Sequence, residues 1–169
     1  MSTLRANAVQ TVTGKPILNS TGSILQVVQF LDLGVTPGGA YVGGSNLLTS
    51  STTTFQNIMS RAITTTADNS RILVEVICVG YTSSGVLRAR SYLTRNGTVI
   101  DGDPYAWYSD TQTMTIHTIK NLDSPNVPAG TTLTYVLQGS YTSGGTAQLG
   151  YQDSGGGAHN SITLTEISA

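Results

Sequence analysis

RILVEVICVGYT, residues 71–82, is the most apolar run in the chain. In an extended strand successive side chains alternate faces, so Ile72, Val74, Val76 and Cys78 share one face and Leu73, Ile77, Val79 and Tyr81 the other. Apolar residues on both faces predict a central strand covered twice. One face meets an opposite sheet; the other meets either a neighbouring subunit or loops of its own chain.

Upstream of this run, residues 53–59 and 61–66 read as two short Thr-rich peripheral strands, followed by the turn cluster Ala67-Asp68-Asn69-Ser70. Downstream, Leu87 to Arg95 leads to Asn96-Gly97, a strong hairpin signal because both residues tolerate positive φ. The return strand is expected over 98–101. Asp101-Gly102-Asp103-Pro104 reads as a turn; its two carboxylates lack the further ligands of a calcium loop. Further strands are expected over 114–122, 131–142, 146–152 and 161–167, punctuated by Asp123-Ser124-Pro125, Pro128-Ala129-Gly130 and Gly144-Gly145. Residues 33–51, with Pro37 and two Gly pairs, read as a loop or irregular edge, and Gly155-Gly156-Gly157 as a flexible tip without the strand-then-helix setting of a phosphate-binding loop. Many short strands with no crossover helix predict an all-β fold, an antiparallel jelly-roll-like β-sandwich, with immunoglobulin-like topology as the alternative. No repeat of fixed period suggests a propeller or solenoid.

Composition agrees. The chain of 169 residues is long enough for one domain with a core of its own. Its 19 glycines and abundant Thr and Ser favour turns and strands over helices. Charged residues are only 10% and the net charge is −1, so no basic field draws the chain to nucleic acid or to an anionic membrane. No apolar run approaches the length of a membrane span, and MSTLRANAVQ has no apolar signal core, so no membrane insertion and synthesis in a cytoplasm are expected. Asn19-Ser20-Thr21 and Asn96-Gly97-Thr98 therefore read as turns rather than glycosylation sites. The single cysteine, Cys78, closes no intrachain disulfide and is expected to be buried and inert.

The first thirty residues stand apart. Two short extended runs, residues 4–12 and 24–30, flank a turn-rich middle, and neither has an apolar stripe wide enough to fold alone. The expected division is an extended anchoring arm, 1–30, and a β-sandwich knob, 31–169. The arm's apolar residues Leu4, Val9, Val12, Ile17, Leu18, Ile24, Val27 and Val28 are its candidate contacts with other copies.

Catalytic chemistry finds little support. His117 and His159 sit in no metal motif, there is no GxSxG elbow, and the only cysteine lies in the most apolar strand. Carboxylate pairs such as Asp101 with Asp110, or Glu75 with Asp153, rest on no motif. The expectation is a non-enzyme without metal or other cofactor. The aromatic group Tyr105-Ala106-Trp107-Tyr108 reads either as packing or, through Tyr105, Trp107 and Tyr108, as a glycan-contact surface.

The opening LRANAVQTVTGKPILNSTGSILQVVQ, together with SRILVEVICVGY, the RNGTVI hairpin, KNLDSPNVPAGTTLTYVLQ and the closing NSITLTEISA, resembles a family of small structural proteins of marine and cyanobacterial tailed bacteriophages. Residues 33–51 and 101–108 match that family poorly. The resemblance implies a homotrimeric virion protein, a capsid-decoration, head-fibre or short-fibre protein made in the host bacterial cytoplasm. Its partners would be its own copies and other virion proteins, with a tail-fibre role binding host-surface glycan as the alternative.

Overall fold

The computed structural model describes residues 21–32, 52–82, 85, 87–109, 113–143, 147–149 and 160–169. Among these there are nine strands and no helix: β1 (Ile24–Asp32), β2 (Thr52–Thr64), β3 (Arg71–Thr82), β4 (Leu87–Arg95), β5 (Thr98–Ser109), β6 (Thr113–Asp123), β7 (Thr132–Ser143), β8 (Ala147–Leu149) and β9 (Asn160–Ile167). One sheet has the order β1-β9-β3-β6, with β8 also on β3, and the other the order β2-β7-β4-β5.

The pairing is that of a folded-over ribbon. β4 pairs with β5, β3 with β6, β2 with β7 and β1 with β9, all antiparallel. Rolling this ribbon brings β9 beside β3 and β7 beside β4 and separates it into two facing sheets, which is a jelly roll. The tip of the ribbon is the turn Asn96-Gly97, with φ of 48° and 83°. A two-residue turn with both φ positive matches the twist of its strands. Asn96 also accepts the Thr134 N–H on its Oδ1 at 2.8 Å, tying the tip to β7.

The core lies between the sheets. Ile72, Val74, Val76 and Cys78 of β3 face Leu93, Leu133, Tyr135, Leu137, Ile58 and Ile63 across it, as the alternation predicts. Gly139 continues the inward row of β7 because a Cβ there would lie 2.7 Å from Ile58 Cδ1.

Two expected boundaries are corrected. The segments expected at 53–59 and 61–66 form one strand, β2, which ends at Thr64 and absorbs register shifts at Thr52/Gln56 and Asn57/Met59 instead of breaking. Asp101-Gly102-Asp103-Pro104 is no turn, since β5 runs through it. Its position explains this: β5 is the last strand of its sheet, where a proline costs no ladder bond. Gly102 is also fitted there, for a Cβ would lie 2.8 Å from the Tyr92 ring, which stacks on Phe55 at 4.0 Å.

One end of the core is closed by charges. Glu166, Ile72 and Asp123 stand in one row across β9, β3 and β6. The fully buried Glu166 accepts Thr66 N–H at 2.8 Å, Thr66 Oγ1–H at 2.9 Å, Ala67 N–H at 3.2 Å and Gln26 Nε2–H at 2.6 Å. It thereby fastens the turn that carries the chain from β2 to β3. Burial by itself would raise its pKa, but hydrogen bonds from Ser70, Gln26 and Thr66 outweigh that and hold it below the ordinary carboxylate value. Asp123 receives Arg95 Nη1 at 2.6 and 2.7 Å and the Tyr135 hydroxyl at 2.7 Å, both from the facing sheet. Burial, and then this bond, push the Tyr135 pKa far up. Carboxylates buried in this way are tolerated because each has its donors supplied, Glu166 by β1 and the β2–β3 connection and Asp123 by the facing sheet.

Candidate functional site

The inward residues of the β1-β9-β3-β6 sheet serve the core, and its outward residues form horizontal rows. Val27, Thr165, Leu73 and Leu122 occupy one level. Gln29, Thr163, Glu75 and Lys120 occupy the next, then positions 31, 161, 77 and 118. Beyond them lie the pairs Val79 with Ile116 and Tyr81 with Met114. Six of the nine large hydrophobic residues exposed among the described residues lie on this face: Ile24, Val27, Ile77, Met114, Ile116 and Leu122. Ile24 at 65% and Ile116 at 64% are as open as surface lysines usually are. The polar row is paired within itself: Lys120 Nζ lies 3.0 Å from Glu75 Oε1, and Gln29 Nε2 donates to Thr163 Oγ1 at 3.0 Å. On the outward side of central strand β3, Ile77 is exposed, Leu73, Glu75 and Tyr81 are half-buried, and Val79 is buried.

Of the arm residues expected to make contacts, Leu4, Val9, Val12, Ile17 and Leu18 lie outside the described residues. Ile24 and Val27 point outward from β1, whereas Val28 packs against the core. β1 itself straddles the expected boundary at residue 30 and is held in the sandwich by β9. Gly22 N–H donates to Ser168 O at 3.0 Å and Ser23 O accepts Ser168 N–H at 2.9 Å, extending that attachment.

The aromatic group lies on β5. Trp107 pairs with Ala89 and Tyr108 with Arg88, so positions 107 and 108 fall on opposite faces of the strand. Tyr108 is 60% exposed, and Ala106 packs against the core. The side chains of Tyr105 and Trp107 lie outside the described residues.

A second feature was not legible in the sequence. Where the edges of β5 and β6 meet, a cleft of about 190 Å³ is lined by Asp101, Asp103, His117 and Lys120, among others. His117 Nε2 lies 3.2 Å from Ser91 Oγ, and Asn121 Nδ2 donates to Asp101 Oδ2 at 3.3 Å. Burial lowers the His117 pKa below its ordinary value, opposed by the charges of Asp103 and Asp101, so the ring is neutral at pH 7. The arrangement sets the Ser91 hydroxyl beside the His117 imidazole, with the carboxylates of Asp101 and Asp103 lining the same cleft. Among the described residues no three His, Cys, Asp or Glu side chains converge as metal ligands. Sequence reasoning also missed Glu166, although its alternation with Ile162 and Leu164 already aimed it inward. Cys78 is fully buried, as expected.

The described chain is an all-β jelly-roll sandwich with one open apolar face. No protein-family profile matches its sequence, and no curated protein matches it. Among solved structures, that of the infectious bursal disease virus Gx strain is similar at 11% identity and a TM-score of 0.47, over 87% of this chain and 39% of the other. The Gt strain of the same virus gives 15% identity and a TM-score of 0.44, over 87% and 39%. A mutant VP2 protein of that virus, in derived particles, gives 16% and 0.42, over 87% and 37%. The chain thus spans about two fifths of the length of these proteins, and at these values no shared role follows.

Proposed function

We propose that this chain is a non-enzymatic structural protein of a bacteriophage particle, a homotrimer that decorates the capsid or forms a head fibre or short fibre. Residues 1–30 anchor it and the β-sandwich is displayed. The observation that carries this reading is the condition of β1. Among the described residues β1 is an edge strand paired only with β9, and its Ile24 and Val27 are 65% and 56% exposed. An open edge beside exposed aliphatic residues is a template for pairing with another chain. The segment leading into it carries Leu4, Val9, Val12, Ile17 and Leu18, which intertwined copies would bury together. The resemblance of that opening segment to tailed-phage structural proteins supports a virion setting, with other virion proteins as the docking partner. In this reading the protein is made in the host bacterial cytoplasm, uses no cofactor, and engages neither nucleic acid nor the membrane interior.

Deleting residues 1–20 leaves every described strand in place. The truncated chain should fold and fail to join phage particles; normal incorporation would contradict the division between arm and knob. The exposed Tyr108 favours a second reading, a tail-fibre knob that binds host-surface glycan on the Tyr108 face of β5, so that of the expected group Tyr105, Trp107 and Tyr108 the last makes the stacking contact. Glycan-array binding lost in Tyr108→Ala supports it, and an array without signal removes it.

A further inference from the structure

We propose that the outward face of β4, with Tyr108 of β5 beside it, is a binding site for an anionic saccharide, a chain of sugar rings bearing carboxylate or sulfate groups. The inference rests on the glycan-binding reading and gives it a ligand class. Arg88, Arg90 and Tyr92 alternate along β4 with the buried Ala89, Ser91 and Leu93, and all three stand exposed on its outward side. Tyr108 is the cross-strand neighbour of Arg88, so an aromatic ring and a guanidinium share one end of this row. At the other end Tyr92 stacks on Phe55 with 4.0 Å between ring centroids, and it lies against Gly102, where a Cβ would come within 2.8 Å of the ring. From Arg88 to Tyr92 the row runs roughly 13 Å, long enough to engage more than one sugar ring.

Charge selects the ligand. Asp101 and Asp103 are the only carboxylates on the four strands of this sheet, and they pair with Leu93 and Ser91, whose side chains point into the sandwich. The outward face of the sheet therefore holds no carboxylate among the described residues. Arg88 and Arg90 make no ion pair or hydrogen bond among them, whereas Arg95 and Lys120 each have an acidic partner. Two like charges on successive outward positions repel until an anion is set between them. A guanidinium offers parallel N–H donors that match a carboxylate or a sulfate, and an exposed tyrosine ring takes the apolar side of a sugar. Gln138, beside Tyr92 on β7, spends an Nε2–H on Asn57 and keeps its carbonyl oxygen for a hydroxyl. Nucleic acid fits less well: two cations answer too few phosphates, and Phe55 already covers one face of Tyr92.

The test titrates the full chain by calorimetry with oligogalacturonate, which carries carboxylates, with dextran sulfate, and with unmodified dextran. Binding is expected to a polyanion and not to dextran, and the polyanion bound more tightly tells carboxylate from sulfate. Arg88→Gln with Arg90→Gln should weaken binding roughly tenfold or more. Arg88→Lys with Arg90→Lys keeps the charge without the fork and should recover only part of that loss, whereas Lys120→Gln, on the other sheet, should change nothing. Protection of the buried Cys78 from a thiol reagent separates lost binding from lost folding. If the double glutamine exchange exposes Cys78, Arg90→Gln alone is read in its place. Undiminished binding in the folded glutamine variant overturns the site, and so does tighter binding of a thymidine oligonucleotide than of either polyanion. Dextran bound as tightly as dextran sulfate, or no binding of either polyanion, overturns the anionic ligand, while the glycan reading stands or falls separately with the array.

Discussion

The two outer faces of the sandwich cover the same core with opposite surfaces. On the β2-β7-β4-β5 sheet, side chains complete one another: Thr64 and Thr132 hydroxyls lie 3.0 Å apart, Gln138 Nε2 donates to Asn57 Oδ1 at 2.8 Å, and Phe55 stacks on Tyr92. Arg88 and Arg90 stand exposed on the same strand as Tyr92. On the β1-β9-β3-β6 sheet the levels above and below the Glu75–Lys120 pair expose aliphatic residues. Buried apolar area, not exposed apolar area, stabilises a fold. The first sheet pairs polar and aromatic groups within its own chain and exposes Tyr92, Val99 and Tyr108; the second exposes mainly aliphatic residues.

If both faces are coverings of one core, injuries to the core should dominate stability whichever face is intact. Glu166→Ala would strand the N–H groups of Thr66 and Ala67 and free the turn between β2 and β3, costing roughly 2–4 kcal/mol in urea denaturation. Gly139→Ala would force Ile58 aside in the core for about 1–3 kcal/mol. Tyr135→Phe would remove the hydroxyl that donates to Asp123, leaving the Arg95 bonds, for about 1–2 kcal/mol. The smallest effects on the fold itself belong to the faces: Ile116→Lys and Thr134→Lys should each change unfolding of the separated chain by no more than about 0.5 kcal/mol. A large loss from Ile116→Lys in the separated chain would mean that its own chain already covers that face.

The charged end of the core adds a pH signature. The Glu166 pKa is lowered on folding, so its stabilisation is complete above the ordinary carboxylate range, about 4.3, and is lost as pH falls through the folded value. The Tyr135 pKa is raised, so its contribution is complete below about 10 and is lost as pH rises further. Thermal unfolding followed against pH should show both limbs. Glu166→Gln should flatten the acid limb and Tyr135→Phe the alkaline one.

Much of the architecture was readable because alternation and turn chemistry agree at β3, β4, β6, β7 and β9 and at Asn96-Gly97. Misreadings arose where local preference yields to tertiary position. Asp101-Gly102-Asp103-Pro104 has turn residues throughout, yet an edge strand accepts the proline and the Tyr92 ring accepts the glycine. The His117 cleft was invisible because its acidic residues come from a strand of the opposite sheet, and nothing in either segment specifies that crossing. The outward side of β3 was half visible: alternation marks Leu73, Ile77 and Val79 as a second apolar side, but only the register aligns them with Leu122, Thr118 and Ile116.

The mass of the full chain in solution, measured by light scattering across a concentration series, tests the central claim most directly. If the opening segment joins copies, the full chain should have the mass of three chains, and the chain lacking residues 1–20 should fall toward the mass of one. A full chain with the mass of one at every concentration would contradict the account.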